Sequence, residues 1–146
     1  MTFYKILGKE YHGIIQSDGY QAYENYSPAK GHAGCLSHAR RKYEDALKSN
    51  TTLYKQVSRK GITYTEKEEL LNNNPSFAKA LWFVQQYDKV FRIERTLKQS
   101  SSDFDEIVEK RNIKERPLLE EIHKEASELI KKCAPSGKLY AALQYN

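Results

Sequence analysis

At 146 residues the chain has room for one domain with a real core, or for one small lobe carrying a helical appendage, and two full domains would be crowded. Hydrophobic residues are 39% and charged residues 29%; no apolar run approaches the roughly 20 residues of a membrane span, and Met1 to Glu10 lacks a signal peptide's basic start and apolar core, so a cytoplasmic, non-membrane protein is expected. The net charge of +5 permits a nucleic-acid partner without demanding one, because the excess is thinly spread and only Arg40, Arg41 and Lys42 form a tight basic group.

Phe3, Ile6 and Leu7 recur at helical spacing, so Phe3 to Tyr11 reads as the last turns of a helix. Gly13 to Asp18 then reads as a short strand, and Tyr20 to Tyr26 as a short helix with tyrosines every three residues. Asp18 stands where that strand ends. A carboxylate there can be aimed at a catalytic or metal site, because the strand fixes the backbone while the following loop stays open. It can equally be the N-cap of the helix that follows. Local pattern alone leaves both roles open.

Pro28, Lys30 and Gly31 predict a turn, and His32 to Leu36 a second short apolar segment. The spacing of His32, Cys35 and His38 is compatible with metal ligands, but a structural zinc site wants four ligands as two pairs and no second pair exists; Cys35 reads better as a small hydrophobe ending a strand. Cys35 and Cys133 are too few for a disulfide framework and are expected to be reduced. Ser37 is the expected N-cap of an amphipathic helix with Ala39, Tyr43, Ala46 and Leu47 on its apolar stripe. Arg40, Arg41 and Lys42 lie largely off that stripe, as a solvated face or as a grip on phosphates.

Ser49 to Pro75 reads as a surface elaboration, with a turn at Lys60-Gly61, a small strand at Ile62 to Tyr64, and a capping box of Thr65 and Glu68 opening one or two helical turns. Asn74-Pro75 opens a long helix on which Phe77, Leu81, Val84, Asp88 and Phe91 run beside Ala80, Phe83, Tyr87, Val90 and Leu97; with Trp82 added, this wide apolar face predicts a central position in a bundle. A helix start at Ser102 to Asp105 is expected to turn Phe104, Ile107 and Val108 inward. Another helix follows Arg116-Pro117 with a repeat from Leu118 to Cys133, and His123 beside it reads as partly exposed. Pro135 to Gly137 break the chain, and Lys138 to Asn146 begins a final helix. Both ends read as cut short.

Two stretches taken together are specific. Gly13-Ile-Ile-Gln-Ser-Asp18-Gly-Tyr-Gln-Ala-Tyr23, followed by Ala33-Gly-Cys-Leu-Ser-His-Ala-Arg-Arg-Lys-Tyr43, resembles the catalytic domain of transposases of the insertion-sequence-sixty-six family. Phe91-Arg-Ile-Glu94, Arg111, Arg116-Pro117, Pro135-Ser-Gly-Lys138 and Gln144-Tyr145 extend the resemblance in the same order over nearly the whole chain, with residues 49–75 its poorest section.

The resemblance implies an RNase H-like core with three metal-binding carboxylates in the order Asp, Asp, Glu, of which Asp18 matches the second. It places the first Asp upstream of Met1 and the Glu downstream on the helix that Lys138 begins. The implied chain is an internal, truncated piece of a DDE transposase: a predominantly helical α+β chain with a partial RNase H-like core over 1–48, carrying two short strands, and a helical insertion over 49–146. Within the insertion, 49–75 is the elaboration and 76–146 the bundle. In the parent protein, Mg2+ or Mn2+ would serve DNA cutting and strand transfer by two-metal phosphoryl displacement at transposon ends, with Asp18 as catalytic metal ligand. This chain alone would lack the partner carboxylates, bind no metal tightly and not cut DNA, with Arg40, Arg41 and Lys42 as DNA contacts. The competing expectation is a non-catalytic helical binding or homo-oligomerisation module in which Asp18 caps a helix.

Overall fold

The computed structural model describes residues 11–18, 29–100 and 103–145. These form two short strands, β1 (Ile14–Ser17) and β2 (Gly31–Gly34), and seven helices: α1 (Leu36–Lys48), α2 (Thr51–Val57), α3 (Tyr64–Asn72), α4 (Pro75–Ser100), α5 (Phe104–Lys114), α6 (Arg116–Leu129) and α7 (Gly137–Leu143). The chain is α+β and mostly helical. The expected helices at Phe3–Tyr11 and Tyr20–Tyr26 fall largely or wholly outside the described residues.

β1 and β2 pair in parallel, Ile14 opposite Gly31 through Ser17 opposite Gly34. The ladder continues past both ends, with the amide of Lys30 donating to the Gly13 carbonyl and that of Cys35 to the Ser17 carbonyl, each at 3.0 Å. The chain turns into α1 at once. Cys35, not Ser37, occupies the N-cap position, and its carbonyl accepts from the amides of His38 and Ala39. The expected Ser37 cap falls two residues late because the last ladder bond already fixes Cys35 in an extended conformation.

α1 and α4 form the spine. Ala39, Tyr43 and Leu47 are the buried stripe of α1, as its spacing predicts, with Ala46 partly buried beside them. They meet Phe77, Ala80, Phe83, Val84, Tyr87 and Val90 of α4 in one cluster that also takes in Leu53 and Val57 of α2, Ile122 and Ala126 of α6, and Ala142 and Leu143 of α7. The Tyr43 and Phe83 rings stack with centroids 4.3 Å apart and planes 12° apart, both side chains fully buried. Trp82 meets Phe83 edge to face at 4.9 Å. Proline opens α4 and neither glycine nor proline interrupts its 26 residues, so the helix runs unbroken beneath its neighbours. It packs against α1, α3, α5 and α6, the central position its wide apolar face predicts.

Residues 49–75 are more helical than their pattern predicts. Asn50 caps α2 by accepting from the Leu53 amide at 3.1 Å, and Leu53 and Val57 reach the core. Ile62 to Tyr64 is not a strand: the turn at Gly61, with φ 81°, leads straight into α3. The capping box is Thr63 with Glu66, not Thr65 with Glu68. Thr63 Oγ1 accepts from the Glu66 amide at 3.2 Å while Glu66 Oε2 accepts from the Thr63 amide at 2.9 Å. Both candidate pairs have suitable spacing, and the turn ending at Ile62 selects the earlier one. Thr63→Ala is expected to cost about 1 kcal/mol in urea unfolding; a loss below a few tenths would mean the box contributes nothing to the folded state.

α5 departs most from expectation. Asp103 caps it, accepting from the Glu106 amide at 3.0 Å, yet none of its residues is buried and Phe104 is 73% exposed, with Val108 exposed as well. Polar contacts hold this helix instead: Arg111 grips Glu94 of α4 through two guanidinium nitrogens, with Nε to Oε2 at 2.9 Å. A helix anchored on an arginine can leave its apolar residues outside.

Candidate functional site

Parallel pairing brings the carboxyl ends of β1 and β2 to one edge, where α/β sheets commonly place ligands. Asp18 follows β1 directly and is exposed. Cys35 follows β2 directly and stands one register step beyond the Ser17–Gly34 pair, so Asp18, Cys35 and the first turn of α1 share that end. The expected cap role of Asp18 concerns a helix outside the described residues. The His38 side chain, followed by the His38 amide, holds the Cys35 thiol below its ordinary range. Cys35 is half-buried rather than fully buried.

Asp18 offers a hard oxygen ligand suited to magnesium, whereas its neighbours across the strand ends, a thiol and an imidazole, are softer donors. No group of three or more His, Cys, Asp or Glu among the described residues could hold a metal ion. The described residues therefore do not by themselves fit a two-magnesium centre. His32 and His123 are exposed and lie on separate elements.

The three basic candidates on α1 have different surroundings. Arg40 is engaged inside the protein: Nε donates to Asp88 Oδ1 of α4 at 2.7 Å, and Nη1 to Glu44 Oε2 at 2.8 Å. Those carboxylates, Asp88 foremost, push its pKa further up. Glu44 also meets Lys48 at 2.7 Å, and this contact first, with burial opposing and Arg40 assisting, holds its carboxyl below the usual range. Lys42 lies over the Tyr145 ring, its ammonium 5.1 Å from the centroid. Arg41 is exposed.

Two clusters escaped the sequence reading. Asp88 lies within the apolar pattern of the long helix, and a carboxylate among apolar neighbours is itself a signal that a partner must exist. The other lies at the junction of α4, α5 and α6, where Glu94 meets Arg111 and Lys98 while Glu115, only 9% exposed, is buried beside them. Arg111 first, and Lys98 and Glu115 after the opposing effect of burial, hold Glu94 down at about 2; burial, then Glu94, pushes Glu115 up. Both Glu94 and Arg111 fall in matched motifs, but spacing could not reveal that they touch.

No helix among the described residues is long and apolar enough to cross a membrane. A family model described as Transposase IS66 family matches residues 2–146. No curated protein and no solved structure matches the chain.

Proposed function

From the premise that this chain belongs to the transposase IS66 family, we propose that it forms part of an RNase H-like DNA-transposase catalytic domain in which Asp18 is one of the metal-binding carboxylates. The supporting observation is the position of Asp18 at the carboxyl end of β1, beside the end of a parallel partner strand. The remaining carboxylates of a DDE set would come from outside the described residues. A divalent metal pair held by such a set supplies Lewis-acid activation for phosphoryl transfer between DNA strands. Asp18's part is to present a hard, solvent-facing oxygen on a backbone fixed by the ladder bond from Cys35 to Ser17. On α1, Arg41 provides the exposed fork for a DNA phosphate, with Lys42 beside it, while Arg40 ties α1 to α4 through Asp88.

The purified chain is expected to bind duplex DNA with affinity falling steeply as salt rises, and Arg41→Ala is expected to weaken binding several-fold and flatten the salt slope by about one phosphate contact. It is expected not to nick supercoiled plasmid in magnesium or manganese. Metal-dependent nicking that Asp18→Ala abolishes would refute that inactivity, and absence of duplex binding at low salt would refute the DNA role.

A further inference from the structure

A concavity lies on another face, between the α1–α2 corner, the start of α4, the end of α6 and the start of α7. Its volume is about 720 Å³, within the roughly 300–1,000 Å³ typical of small-molecule sites. The chemistry of its lining is one-sided. Lys79, Lys132 and Lys138 border it and no aspartate or glutamate does. Lys79 is paired with Glu125; no ion pair among the described residues engages Lys132 or Lys138, both of which are exposed. Leu53, Phe77 and Leu139 supply an apolar floor. The first turn of α4 also borders the cleft, and the amides of Ser76 and Phe77 have no carbonyl of their own helix to bond.

We propose that this cleft binds an unpaired nucleotide of single-stranded DNA, with Lys132 and Lys138 on its phosphate and its base against the Leu53–Phe77–Leu139 floor. Cationic groups beside an apolar surface match a ligand with an anionic end and a flat, weakly polar body, the combination that single-strand sites use. A duplex presents phosphates with its bases stacked inside, so it cannot use the floor. The assignment of the anion to DNA rests on the transposase reading; the cleft's charge and shape do not.

The test uses the full chain and fluorescence anisotropy with a short oligothymidylate, a duplex of random sequence, and thymidine monophosphate as competitor. Lys132→Ala/Lys138→Ala is expected to weaken oligothymidylate binding about tenfold, and Ala134→Trp, which places a large side chain at an exposed lining position, to weaken it similarly without removing charge. Lys55→Ala/Lys124→Ala removes two exposed lysines elsewhere and is expected to change it less than twofold. Thermal melts check that each variant is folded. Unchanged binding in both cleft variants overturns the proposal, as does an equal loss in the control pair, which would mean diffuse electrostatics. Duplex binding reports separately on the α1 reading: if no form binds duplex while the cleft variants still lose thymidine monophosphate competition, the transposase reading fails and the cleft stands.

Discussion

Phe83→Ala is expected to lower the unfolding free energy by about 3–5 kcal/mol. The phenyl ring is fully buried, stacked on Tyr43 and met edge-on by Trp82, so deleting it removes transfer free energy and leaves a hole between α1 and α4. These two helices are also tied by Arg40 and Asp88 near one end of the contact, which restrains them from closing over the hole. Against a total of about 5–15 kcal/mol for a domain of this kind, such a loss is a large fraction of the whole. Phe83→Leu, which keeps most of the volume, is expected to lose roughly 1–2 kcal/mol. Urea unfolding followed by circular dichroism reads both. A loss below about 1 kcal/mol for Phe83→Ala would show that the Tyr43–Phe83 stack is not the centre of the core.

The Glu94–Arg111–Glu115 junction should give stability two opposing pH dependences. Glu94 titrates at about 2 when folded, below its ordinary 4.5, because Arg111 holds the charged form; its contribution is present above 4.5 and disappears as pH falls toward 2. The full shift corresponds to about 3 kcal/mol at most, and solvent screening at a part-exposed pair reduces this to roughly 1–2 kcal/mol. Glu115 is shifted the other way, by burial first and then by Glu94. Its contribution is complete below 4.5 and is lost as pH rises through its raised folded value. The difference between wild type and Glu94→Gln should therefore shrink as pH falls below 4.5, and the difference between wild type and Glu115→Gln should move in favour of the variant as pH rises above it. Difference profiles are needed because Glu44 and Glu66 are also shifted down and contribute to the acid limb. Parallel profiles for wild type and both variants would refute the coupling.

Periodicity carried much of the fold. The Ala39–Tyr43–Leu47 stripe, the unbroken long helix from Pro75 and the Ile122–Ala126 face all follow from spacing, because a helix that must bury one side repeats apolar residues at its own period. Caps were legible only to within two residues. Ser37 and Thr65 have the right chemistry, but the hydrogen bonds of the preceding residues, Cys35 to Ser17 and Ile62 to Arg59, decide where each helix starts. The inward face expected for α5 is absent because Phe104 and Val108 have helical spacing without a core to face, and the sequence does not say that Arg111 reaches Glu94 seventeen residues away.

The candidate site divides in the same way. Sequence alone picked out Asp18 at the end of a strand and the basic run on the following helix, since both depend on neighbours close in the chain. Only tertiary structure decided that Arg40 is occupied by Asp88, that Cys35 shares the strand-end edge with Asp18, and that lysines from α4, the end of α6 and α7 border one cleft free of carboxylates. The reason is physical. Helical and strand periods are set by local backbone geometry, whereas which charges meet is set by how separate elements pack, and that packing is fixed by a core assembled from residues as far apart in the chain as Ala39 and Leu143.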